Sequence, residues 1–109
     1  MNIVVNAPLD SLVPHMGVYQ GRQMIFWSLA KKPAKLNLGD RVFVAIAGDI
    51  MHSYRFLGFA KDPRCEHTGR IIPGLVLMLD VLTRPLPKFA KVKKFYGFKY
   101  LSDDYFNGL

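Results

Sequence analysis

Arg41-Val42-Phe43-Val44-Ala45-Ile46-Ala47-Gly48-Asp49-Ile50-Met51-His52-Ser53-Tyr54-Arg55-Phe56-Leu57-Gly58-Phe59 is the stretch from which the rest of the chain can be read. Residues 41–47 are β-branched, aromatic or small, with one charge at the start, and they read as a strand. Gly48-Asp49 interrupts them at once. Two turn-forming residues between apolar runs specify a tight hairpin, because glycine tolerates the positive φ that two-residue hairpin turns require. Residues 50–59 are then the returning strand. Just upstream, Asn37-Leu38-Gly39-Asp40 has the composition of a turn leading into the hairpin.

Working outward, a polar loop at 61–70 precedes residues 75–82, where Val and Leu dominate and Asp80 is the one charge, so a third central strand is expected there. Thr83-Arg84-Pro85-Leu86-Pro87 is held extended by its prolines. Residues 88–94 are basic, and 95–101 alternate aromatic and polar side chains as a closing strand would. On the other side, residues 23–29 are apolar and aromatic enough for a strand, and residues 2–7 form a short strand that ends at Pro8. Asp10 and Ser11 can cap a brief helical turn that Pro14 and Gly17 keep short. Short strands, turn punctuation and little helix predict a mainly β fold with minor α, arranged as a small mixed β-barrel, with an open sandwich as the competing architecture.

The chain has 109 residues, half of them hydrophobic, which suits one domain over 1–109 with a core that needs no staples. A single cysteine, Cys65, excludes an internal disulfide and suits a reducing compartment. Met-Asn-Ile-Val-Val-Asn lacks the basic and apolar regions of a secretory signal, so a cytoplasmic protein is expected. Apolar runs such as residues 74–79 fall far below the roughly 20 residues of a membrane span. Fifteen Lys and Arg against eight Asp and Glu give +7, which makes a polyanion the first partner to consider.

The order of features, Phe26-Trp27-Ser28, a short basic stretch, then Leu36-Asn37-Leu38-Gly39-Asp40-Arg41-Val42-Phe43-Val44 and a hairpin ending in Leu57-Gly58-Phe59, resembles the PUA-like superfamily in its ASCH and EVE branches. Pro85-Leu86-Pro87 and Gly97-Phe98-Lys99-Tyr100-Leu101 are similar to the late crossover and closing strand of such domains, so the likeness covers roughly residues 20–101. It implies a PUA-like β-barrel and a nucleic-acid-binding module, in some members one that reads an exposed or modified base. The Gly-x-Lys-x-x-Glu signature common in the ASCH branch does not occur in this sequence.

Basic residues carry the strongest signal from chemistry alone. Arg22, Lys31, Lys32 and Lys35 form one group, and Arg84, Lys88, Lys91, Lys93 and Lys94 a second that contains no acid. Aromatics interleave with both, notably Trp27 and Tyr96, and rings between cations are what a platform for unpaired bases requires. With Ser28 beside Trp27, these twelve residues are the expected nucleic-acid contacts, RNA or DNA. Cys65-Glu66-His67 contains good zinc ligands, but only His15 and His52 remain to complete a site, so no metal is expected. Asp103-Asp104 points apart on an extended chain, which disfavours a two-carboxylate centre. No catalytic residue and no cofactor is assigned. Two other readings compete: a small basic interaction or inhibitor protein of viral or mobile-element type that binds another macromolecule, and an ASCH-type nuclease or amidohydrolase built around Glu66 and Asp80.

Overall fold

The computed structural model describes residues 1–7, 15–93 and 95–101, with the side chains of His15, Met51, Pro87, Lys88 and Phe89 outside that description. Seven strands follow in chain order: β1 (Asn2–Ala7), β2 (His15–Tyr19), β3 (Arg22–Leu29), β4 (Arg41–Ile46), β5 (Asp49–Lys61), β6 (Leu75–Lys91) and β7 (Phe98–Leu101). They form one sheet in the order β2-β3-β6-β5-β4-β1-β7. The fold is mainly β and the sheet is open, with β2 and β7 as its edges. Among the described residues there is no helix, and so none long and apolar enough to cross a membrane. The brief helical turn expected at Asp10 and Ser11 lies outside the described residues.

The hairpin forms one residue earlier than Gly48-Asp49 implied. Ile46 pairs with Asp49, and the turn is Ala47-Gly48, with φ of 52° and 83°. Positive φ at both central residues is the geometry whose twist matches flanking strands. Gly48 meets it without strain, whereas Ala47 adopts it against its own preference.

β5 and β6 make a long hairpin whose register shifts between Ile50 and His52, between Tyr54 and Phe56, and between Phe56 and Gly58. Such shifts bend a strand and increase its twist. The hairpin therefore serves two half-sheets. β2 and β3 extend the half built on residues 56–61 and 75–80, while β4, β1 and β7 extend the half built on residues 49–55 and 83–91. β3 stops pairing at Asp80, so beyond that point one side of β6 is an edge. This is why Pro85, which has no N–H to donate, is accommodated in a 17-residue strand that the sequence alone ends at residue 82.

The two halves close on a shared inner cluster. Ile25, Leu77 and Leu79 from one meet Ile3, Val5, Val42 and Val44 from the other, with Leu36, Tyr54 and Phe56 between. Alternate residues of β1 and β4 face outward and are also covered: Val4, Phe43 and Ala45 pack with Ile50, Ala90 and Leu101. Burial on both faces explains why β1 and β4 read as nearly continuous apolar runs. Each fully buried aliphatic side chain contributes roughly 1.5–3 kcal/mol.

A third cluster lies on the outer face of the β2–β3 half, where Met24, Phe26, Val76 and Met78 are covered by Cys65. Cys65 belongs to the connection at 62–74, which closes on itself through Asp62 N–H to Gly74 O (2.8 Å) and Cys65 N–H to Arg70 O (2.8 Å). Glu66 N–H donates to Val18 O (2.7 Å), so this connection also satisfies part of the β2 edge. Gly17 makes the close packing possible, since a Cβ there would lie 2.4 Å from the Phe26 ring and 3.1 Å from Cys65 Sγ.

Candidate functional site

Because the inner cluster lies between the two half-sheets, the opposite face of the bend is convex, and arginines gather there. Arg41 opens β4 and pairs directly with Arg55 of β5; Ser53 of β5 pairs with Arg84 of β6. Side chains directly opposite on neighbouring strands lie about 4.5–5.5 Å apart at Cβ, and like charges in that position repel. Arg41 is anchored: Nε donates to Ser53 Oγ (3.0 Å) and Nη2 to Ser53 O (3.0 Å). Ser53 is 1% exposed, the one buried polar side chain among the described residues. On β3, Arg22 Nη2 donates to Asp80 Oδ2 (2.8 Å), and Asp80 Oδ1 accepts from Leu82 N–H (3.1 Å).

Four arginines from adjacent strands thus share this face with one carboxylate, Asp80. Burial first, then the Arg84 charge and after it that of Arg55, push the Arg41 guanidinium below its ordinary value, with Asp80 pulling the other way. The group stays protonated. Burial is the largest part of that push, and the part due to the Arg84 and Arg55 charges is what an external anion would relieve.

The expected contact residues are not all at this place. Arg22 and Arg84 join the cluster, and both are exposed. Lys31, Lys32 and Lys35 lie exposed in the β3–β4 connection. Lys32 Nζ is 5.0 Å from the Phe59 ring centre and Lys35 Nζ 5.7 Å from that of Tyr100, both within cation–π reach. Phe59 and Tyr100 pack against the inner cluster. Lys91 pairs with Asp49 (2.9 Å) at the far end of the hairpin. Lys93 lines a cleft of about 450 Å³ with Asn6, Val92 and Phe95, and Tyr96 stands 89% exposed in the following connection. The Lys88 side chain and all of Lys94 lie outside the described residues.

Trp27 and Ser28 point to opposite faces, as neighbours on a strand must. Trp27 packs against the inner cluster and lines neither the cleft beside Lys93 nor the one beside Ser28. Ser28 is exposed and borders a cleft of about 310 Å³ with Phe26, Cys65, Thr68 and Arg70. The Thr68 hydroxyl, followed by the amides of Val18, Thr68 and His67, hydrogen-bonds the Cys65 sulfur and, against burial, pulls its thiol down to about 7. A thiol whose folded pKa lies below its unfolded value, about 8.5, adds stability that is present above that unfolded value and is lost as pH falls through about 7. Since the thiolate is the nucleophile, alkylation of Cys65 by iodoacetamide is expected to reach half its limiting rate near pH 7, and Thr68→Val to move that midpoint up. A midpoint above pH 8 in the parent protein would contradict the hydrogen-bond geometry.

The carboxylates of the hydrolytic reading are engaged elsewhere. Glu66 accepts the Gly21 N–H through both oxygens (3.0 and 3.2 Å), and Asp80 holds Arg22. Half-buried His52 stacks edge-on with Tyr54 (5.3 Å between ring centres), and burial pushes its imidazole below the ordinary value. Among the described residues, no group of three His, Cys, Asp or Glu could hold a metal ion.

No protein-family model, curated protein or solved structure matches this chain. Arg41 and Arg55 are the site residues that charge runs along the sequence do not reveal. Arg41 follows Asp40 and Arg55 lies between Tyr54 and Phe56, neither in a basic run, and only the hairpin register, which the Ala47-Gly48 turn sets, places them opposite one another.

Proposed function

We propose that this protein is a cytoplasmic nucleic-acid-binding module that holds a phosphate backbone on the convex face formed by Arg22, Arg41, Arg55 and Arg84. The observation that carries this reading is the placement of four arginines from four neighbouring strands on one face of the sheet, with Asp80 as the carboxylate among them. Arginine forks match phosphate oxygens two at a time, and the surplus charge favours a multivalent anion.

Neutralising phosphates releases counterions, so affinity must fall with salt. With about three phosphates engaged, a 20-base-pair duplex probe is expected to bind roughly 40-fold more weakly at 200 mM than at 50 mM salt. Fluorescence anisotropy across that range checks it. A flat salt response, or no binding at 50 mM, would remove the electrostatic basis of the reading.

A further inference from the structure

Taking the nucleic-acid reading as its basis, we infer that the convex arginine face takes duplex DNA, gripping its backbone across a groove, in preference to a single strand. Single-strand platforms need exposed rings among the cations, because each base must stack on something. Here the rings near the bend turn the other way: Trp27, Tyr54, Phe56 and Phe59 all join the inner cluster. Among the described aromatic side chains Tyr96 alone is exposed. It follows Val92, whose N–H bonds Gly48 O, and so belongs to the opposite end of β4 from Arg41, about 17 Å away at the rise of a strand.

The shape of the face agrees. None of the four arginines lines the cleft beside Ser28 or the cleft beside Lys93. They stand instead on β3, β6, β5 and β4, four adjacent strands, so the row covers about 14 Å measured along the bend of the sheet. That width is comparable to the roughly 12 Å of the B-form major groove. Arg22, steadied by Asp80, and Arg41, steadied by Ser53, sit at the two ends of the row and are placed to meet the two phosphate walls. Arg55 and Arg84, exposed between them, face into the groove. A-form RNA has a deep, narrow major groove that would not admit this surface.

The test compares a 20-base-pair DNA duplex, each of its single strands and the RNA duplex of the same sequence, by anisotropy at one salt concentration. The duplex DNA is expected to bind at least tenfold more tightly than either strand and more tightly than the RNA duplex. The exposed change Arg84→Glu, with circular dichroism unchanged, is expected to weaken the duplex complex more than tenfold. Single strands binding as well as the duplex, or RNA duplex binding as well as DNA, would overturn the groove fit and leave the nucleic-acid reading standing. So would an Arg84→Glu protein that holds duplex DNA unchanged. Failure of every probe to bind would overturn both.

Discussion

Phe56→Ala is expected to cost about 3–5 kcal/mol of stability, the range for removing a well-packed buried phenylalanine. The ring is 2% exposed, and it occupies the point where the half-sheets meet, between two register shifts of the β5–β6 hairpin. A bend of this kind leaves backbone groups without ladder partners, and the Asn37–Asp40 turn supplies them. Phe56 N–H donates to Asp40 O (2.8 Å), and Phe56 O accepts from Gly39 N–H (3.0 Å). The ring also meets Phe59 at 63° with 4.8 Å between centres. Phe56 shares its cluster with side chains of β4, β6 and the 30–40 connection, so no single element can move in to fill the space its loss leaves. Because whole domains are stable by only about 5–15 kcal/mol, the variant is left close to unfolding. Urea denaturation checks this, with Phe59→Ala as the comparison: that ring is partly exposed, and its removal is expected to cost less. A Phe56→Ala loss below about 2 kcal/mol would show that the bend is held by its hydrogen bonds and not by its core.

The same residues show how far the sequence alone reaches. The hairpin was legible because its signals are local: an apolar run, two turn residues, a second apolar run. Its turn moved by one residue, since Ala47 is driven into positive φ by pairing that local preference does not anticipate. The sequence alone ends β6 nine residues short for a related reason. Prolines end most strands, and nothing in residues 83–91 discloses that β3 has already left that side of the sheet. The parallel pairing of β1 with β4 brings together residues 2–7 and 41–46, a contact between distant segments for which apolar composition gives no partner.

The candidate site was legible in sign but not in place. Net charge pointed to a polyanion, and Arg22 and Arg84 were visible as members of basic groups. Runs such as Lys31-Lys32 draw the eye, but on a strand-rich protein a charge cluster is assembled by register across strands. Arg41, Arg55 and Arg84 are 14 and 29 residues apart in turn, and neighbours only once the ladder is known. Trp27 illustrates the converse: a large aromatic beside a basic stretch suggests a ligand, yet the period of two sends it inward and its neighbour Ser28 outward.

The Arg55→Ser/Arg84→Ser double variant is expected to bind nucleic acid about 100-fold more weakly at 50 mM salt while melting slightly higher than the parent. Each charge-assisted contact to a phosphate is worth about 1.5–3 kcal/mol, so two of them account for at least two orders of magnitude. Stability moves the other way because Arg41 faces Arg55 across the ladder and is pushed down by Arg84, and like charges so placed destabilise the sheet. Relief of a few tenths of a kcal/mol corresponds to roughly 2 °C in a domain of this size. Arg41 itself is left in place because it bonds Ser53, and removing it would strand a hydroxyl that is 1% exposed. Opposite signs in the two measurements are what distinguish a binding surface from a merely solvating one. Charges kept only for solubility would change neither quantity by much, and charges kept for the fold would lower both, whereas a cluster retained against its own repulsion is explained by a partner that neutralises it. Calorimetry and anisotropy on the same preparations decide the point: unchanged affinity, or a melting temperature lowered by more than about 4 °C, would assign these arginines to the architecture of the sheet.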